Sequence, residues 1–200
     1  MKKYFELAHL SVASWNVNGL GDKLSDQSFI QKIKRYHIVA LLETHCTPEK
    51  QIFIDGYYVY QINRPKSGNK AHGGIAFVIK KELRPGIKFY NAQTTDLLWL
   101  CLKKEFFKLQ EDIYIGAAYI SPDNSSYAKK LQYDVFEIIE QEITKYSGQG
   151  KTILMGDFNA RTSSVEDFIS DSGTQHIRML PCMLDSDFSC RESEDTKVRL

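Results

Sequence analysis

Ser14-Trp15-Asn16-Val17-Asn18-Gly19, near the start of the chain, and Gly156-Asp157-Phe158-Asn159-Ala160-Arg161, near its end, read as two halves of one site. Each follows a short apolar run with the character of a buried strand, residues 10–13 before the first and 153–155 before the second. Asn and Asp at the exit of a buried strand add nothing to packing. They face the carboxyl edge of the sheet, where open α/β sheets place ligands. Ala40-Leu41-Leu42-Glu43-Thr44-His45 repeats the pattern with a carboxylate at the exit. Three strand ends carrying Asn, Glu, and Asp with Asn form a neutral-to-acidic, oxygen-rich cluster. That chemistry suits Mg²⁺ and a phosphate ester.

Working outward, residues 10–17, 38–43, 57–63, 73–80, 87–92, 97–102, 113–120 and 151–155 read as strands. Gly and Pro between several of them point to antiparallel connections. Two helices are expected. Ser25-Asp26 offers an N-cap for the first, through about residue 37, with Phe29, Ile30 and Ile33 on one face. The second covers residues 125–146, capped by Ser125 or Ser126, with Leu131, Val135, Ile138, Ile139 and Ile143 at helical spacing. Helices on separate stretches of a strand-rich chain imply two sheets, each covered by helices. Residues 161–200 carry one modest helix candidate near 165–169 and a polar tail from 185.

A chain of 200 residues, 42% hydrophobic and 26% charged, is expected to form a single soluble domain over 1–200. The formal net charge of +1 leaves any nucleic-acid contact to a local patch. Residues 64–70 and Lys80-Lys81 are basic stretches able to follow a phosphate backbone, or simply solvated faces. Cys46, Cys101, Cys182 and Cys190 form no C-x-x-C pair, and reduced thiols in an intracellular setting are expected. No signal peptide, targeting signal or membrane-length apolar run is visible. Nuclear and cytoplasmic settings both stay open, and no protein partner is evident.

Ser14-Trp15-Asn16-Val17-Asn18-Gly19, Leu42-Glu43-Thr44, Ala118-Tyr119-Ile120-Ser121-Pro122 and Gly156-Asp157-Phe158-Asn159, in that order, resemble the endonuclease/exonuclease/phosphatase superfamily. That group includes apurinic/apyrimidinic endonucleases, DNase I, inositol-phosphate phosphatases and neutral sphingomyelinases. The resemblance spans roughly residues 9–160. Glu43-Thr44-His45, His72-Gly73-Gly74-Ile75-Ala76, Gly156–Arg161 and Arg191-Glu192-Ser193-Glu194-Asp195 bring it nearest to the endonuclease domains of non-LTR retrotransposons. It implies an α/β, DNase I-like, four-layer sandwich of two packed mixed sheets flanked by helices. It also implies an Mg²⁺-dependent (or Mn²⁺-dependent) phosphodiester hydrolase acting on DNA.

By the same resemblance Glu43 is the metal carboxylate. Asn16 holds metal-bound water or phosphate, or orients the neighbouring Asp. Asp157 orients or deprotonates the attacking water, and Asn159 and Tyr119 contact the phosphoryl oxygens. Asn18, where related endonucleases often carry Asp, and Arg161 are candidate substrate contacts. Each has a plainer reading: Asn16 as a turn residue, Tyr119 as a core tyrosine, the Asp157–Asn159 pair as an Asx-turn, Arg161 as a solvated arginine. His45 and His72 read as loop residues. A further Asp and a terminal Ser-Asp-His segment of the family find no match. His176, Asp185 and Asp187 do not fit it, so the last strands are expected to be missing and activity to be weak or absent. A non-catalytic remnant binding nucleic acid or protein, and a phosphoinositide or sphingolipid hydrolase of the same fold, are the alternatives.

Overall fold

A computed structural model describes residues 9–65 and 71–159. The described residues up to Phe158 fall in one compact unit that holds every described strand and helix, and Asn159 falls outside it. The expectations for Arg161, the helix near 165–169, His176, Asp185, Asp187, Cys182, Cys190 and the tail lie outside the described residues, as do Lys66–Lys70 of the basic loop.

Eight strands make two four-stranded sheets. The first contains β1 (Val12–Asn16), β2 (Ile38–Leu42), β3 (Tyr57–Ile62) and β4 (Ile75–Lys80), in the order β1-β2-β4-β3. The second contains β5 (Ile87–Asn91), β6 (Leu97–Leu102), β7 (Ile113–Tyr119) and β8 (Lys151–Asp157), in sequence order. Both sheets are mixed: β1–β2 and β7–β8 pair in parallel, the other neighbours antiparallel. Each parallel pair needs a crossover. The first is made by α1 (Gln27–Lys34) and the second by α3 (Val135–Ser147), with a single turn, α2 (Lys104–Phe107), after β6.

Why β2, β4 and β6 are unbroken apolar runs is visible in their packing. Ile38, Ala40 and Leu42 of β2, Ile75, Phe77 and Ile79 of β4, and Leu98, Leu100 and Leu102 of β6 meet in the core between the sheets. The intervening Val39, Leu41, Ala76 and Val78 pack under α1, against Phe29 and Ile33. Leu97, Trp99 and Cys101 pack under α3, against Val135, Ile139 and Tyr146. A strand with period-two geometry and both faces covered must be apolar throughout. The result is the four-layer α/β sandwich expected from the sequence.

Several boundaries differ from expectation. The first helix stops at Lys34 rather than near residue 37; its N-cap is Asp26, whose carboxylate accepts from the Ser28 backbone N–H at 2.8 Å. The second begins ten residues later than its serines suggest. Ser125 instead accepts from the Ala128 N–H at 3.0 Å and starts a short 3₁₀ turn, Ala128–Lys130. Asp134 caps α3, accepting from Phe136 N–H at 2.8 Å. β8 runs two residues beyond the expected strand, so Asp157 is its last residue. Cys46 and Cys101 are free and buried, as expected. No described helix is long and apolar enough to cross a membrane.

Candidate active site

The parallel crossovers bring the exits of β1, β2, β7 and β8 to one edge of the sandwich. The β1–β2 ladder continues past the strands: Val17 N–H donates to the Leu42 carbonyl at 2.9 Å, Gly19 to Glu43 at 2.6 Å and Leu20 to Thr44 at 3.0 Å. On the other side Thr44 N–H donates to Gly74 at 3.3 Å and His45 N–H to Gly73 at 2.9 Å. Held from both sides, Glu43 takes a left-handed backbone angle, φ 53°, rare for a side chain of its kind. Asn18 (φ 44°) and His45 (φ 51°) do the same.

Asn16 is the hub. Its amide Nδ2 donates to Glu43 Oε1 at 2.8 Å and to Asp157 Oδ2 at 2.7 Å, while its Oδ1 accepts from the Asn18 backbone N–H at 2.9 Å. One amide thus joins carboxylates at the exits of two different sheets, and both its protons are used. An amide between two like charges offsets their repulsion and fixes their spacing. The backbone of Asp157 is fixed by Ile120 N–H, which donates to its carbonyl at 2.9 Å.

Tyr119, the last residue of β7, is buried and stands opposite Asp157 in the parallel β7–β8 ladder. Burial first, then the neighbouring Glu43 carboxylate, push its pKa well above the ordinary phenol value, so it stays a protonated donor. His45 lies in the loop after β2, with Nε2 3.3 Å from Glu43 Oε2 and its ring 5.8 Å from that of His72. Burial holds its pKa below the usual imidazole value, against the opposing pull of Glu43.

Of the sequence candidates, Asn16, Glu43 and Asp157 stand together in one hydrogen-bonded group, and Tyr119 lies beside Asp157 across the β7–β8 ladder. Asn18 touches it through its backbone. Asn159 is exposed, with φ 46°. Arg161 lies outside the described residues. His45 was legible as a loop residue but not as a partner of Glu43.

The donor set fits a hard divalent cation. Mg²⁺ takes one or two carboxylates and completes its shell with water, and here Glu43 and Asp157 are held in register at a partly open edge. Among the described residues no three His, Cys, Asp or Glu side chains cluster as a metal cage. Mg²⁺ does not require one.

Arg64 departs from the expectation for the basic loop. Rather than facing solvent, it is 3% exposed. Its Nε donates to Asp96 Oδ1 at 2.7 Å, Nη1 to Ser121 Oγ at 2.7 Å and Nη2 to the Tyr119 carbonyl at 3.0 Å. Asp96, itself buried, also accepts from the Thr94 hydroxyl at 3.1 Å and the Tyr127 hydroxyl at 3.2 Å. The guanidinium carbon lies 4.8 Å from the Tyr119 ring centre and 3.9 Å from that of Tyr127. Sequence reasoning missed Arg64, Asp96 and Tyr127. The available signal was Asp96 itself, a carboxylate directly before the six-residue apolar run of β6.

The sequence profile of the Endonuclease/Exonuclease/phosphatase family matches residues 13–191. A probable RNA-directed DNA polymerase from transposon X-element of Drosophila melanogaster is 32% identical over 74 residues, covering 37% of this chain and 8% of that protein. The chain therefore spans a small fraction of that relative's length. Among solved structures, an endonuclease/exonuclease/phosphatase family protein from Leptotrichia buccalis C-1013-b superposes with a TM-score of 0.53 at 15% identity, over 78% of this chain and 69% of that one. An AP endonuclease from Archaeoglobus fulgidus gives 0.50 at 20% identity, over 76% and 58%. At these identities the structural likeness concerns the fold.

Proposed function

The chain belongs to the Endonuclease/Exonuclease/phosphatase family, and from that premise we propose that it is a divalent-metal-dependent phosphodiesterase of the DNA endonuclease type. The observation that carries the reading is the Asn16 amide joining Glu43 to Asp157 across the two sheets. A carboxylate pair spaced by an amide at a strand edge has no packing role. It suits a hard cation beside a proton acceptor. DNA as the substrate is supported by the likeness to a transposon DNA polymerase and to an AP endonuclease.

In this reading Glu43 holds Mg²⁺ or Mn²⁺, with Asn16 keeping its carboxylate in place. When bound, the cation supplies Lewis-acid polarisation of a phosphoryl oxygen. Asp157 orients the attacking water and takes its proton as the water oxygen bonds to phosphorus. The P–O bond to the leaving strand breaks in line with that attack. Tyr119 and Asn159 donate to the phosphoryl oxygens, where charge grows in the transition state. Asn18 and Arg161 are assigned contacts with the flanking phosphates.

The test is nicking of supercoiled plasmid by the purified chain in Mg²⁺ and in EDTA, beside Glu43→Gln and Asp157→Ala. Weak Mg²⁺-dependent nicking, in keeping with the unmatched terminal Ser-Asp-His segment, that falls on the order of 10²-fold or more in both variants is expected. Undiminished nicking by Glu43→Gln would remove the metal assignment. A folded chain that binds DNA in a salt-sensitive way, without product, would be a binding module of this fold instead.

A further inference from the structure

Arg64 is costly where it stands. A guanidinium loses its hydration on burial, and a buried ion pair is often replaceable by well-packed apolar side chains without loss of stability. Stability alone therefore gives little reason to keep it. Its contacts give another. Three of its nitrogens reach three different anchors: the Asp96 carboxylate at the entry of β6, the Ser121 hydroxyl just beyond β7, and the backbone carbonyl of Tyr119 at the exit of β7. The Tyr119 and Tyr127 rings lie against its charge, a contact favourable for a desolvated cation.

The backbone over it is shaped to admit it. A Cβ on Gly73 would stand 2.6 Å from Arg64 Cδ, and Gly73 keeps a left-handed φ of 66°. The carbonyl of that same Gly73 accepts from His45 N–H at 2.9 Å, two residues beyond Glu43. One side chain thus ties the segment after β3 to the exits of β2 and β7. It stands behind Tyr119, the register partner of Asp157.

Building on the function proposed above, we propose that Arg64 is a positioning residue: paired with Asp96, its fixed fork of donors locks the exit of β7 and thereby holds the Tyr119 side chain in place beside Asp157. Lysine in its place would keep the charge and lose the fork.

The experiment compares wild type, Arg64→Lys, Tyr119→Phe and the double variant, each shown folded by circular dichroism. One readout is plasmid nicking under saturating DNA. The other is the NMR signal of ring-labelled tyrosine, with Tyr119 assigned by its loss in Tyr119→Phe. Arg64→Lys is expected to lose about 10- to 100-fold in kcat with KM unchanged, to shift the Tyr119 resonance, and to add nothing to Tyr119→Phe. Ile33→Val, which loosens the α1 layer away from the site, should keep its kcat. Should Arg64→Lys fail to fold, Asp96→Asn removes the same ion pair and is read identically. An unmoved Tyr119 resonance, or losses that multiply in the double variant, would overturn the proposal. Should the wild type nick no DNA, the function reading fails. The resonance then decides on its own: a shift upholds Arg64 as the anchor of Tyr119, and constancy overturns it.

Discussion

Glu43 shows how a single residue in this chain is over-determined. Its left-handed backbone carries a strain on the order of 1–3 kcal/mol, sustained only where surrounding bonds leave no alternative. Those bonds are the Gly19 N–H on its own carbonyl and the Thr44 N–H on Gly74. The Asn16–Glu43–Asp157 association was legible in the sequence because polar side chains at the ends of apolar strands have few other uses. Arg64 was not, because its meaning lies in Asp96, 32 residues away, and a basic residue in a Pro- and Gly-rich stretch reads as solvated. His37 behaves similarly. Its Nδ1 accepts from the Ser11 backbone N–H at 3.1 Å and lies 2.7 Å from the Ser11 hydroxyl, a role that needs the neutral ring. Burial, then the nearby Lys80 and His9, hold its pKa below 6.5. As pH falls below that value the unfolded chain binds a proton that folded His37 resists. Its contribution to stability is therefore complete above pH 6.5 and declines in the acid window beneath it. Urea midpoints measured at about pH 7.5 and about pH 5.5 should differ more for wild type than for His37→Asn.

At the scale of elements, period and burial were readable, while starting points were less so. β2, β4 and β6 announce themselves as continuous apolar runs. The start of α3 does not, since serine and aspartate both cap helices well; Ser125 starts a 3₁₀ turn that carries Tyr127 to Arg64, leaving Asp134 to begin the helix. Gly156 illustrates an element under tight constraint. It is paired with Ala118 in the parallel β7–β8 ladder, with φ 153°, and a Cβ there would overlap the Ala118 carbonyl. Gly156→Ala must therefore push β8 away from β7 directly before Asp157. A loss of about 1–3 kcal/mol is expected, measured by urea unfolding. Nicking should fall further than that loss of stability explains, because Asp157 is displaced from Asn16.

For the whole molecule, two helix-covered sheets were foreseeable, but the neighbour order β1-β2-β4-β3 was not. Sequence pattern says which face of a strand is apolar and is silent on which strand lies beside it. The core between the sheets is the common support. Phe77, fully buried at its centre, should cost about 3–5 kcal/mol when cut to alanine. Against a total of about 5–15 kcal/mol for domains of this kind, thermal unfolding of Phe77→Ala should shift strongly downward. The order of the two sheets along the chain has a consequence during synthesis. The first sheet is complete at Lys80, yet Asp157, which closes its half of the site, is among the last described residues to be made. The buried residues that cover its inner face are complete only at Tyr119, so at about 5–20 residues per second sheet one waits roughly two to eight seconds for its cover. Throughout that interval Ile38, Leu42, Ile75, Phe77 and Ile79 lack the partners that later hide them. The interval between the two sheets is when a newborn chain is most exposed to aggregation.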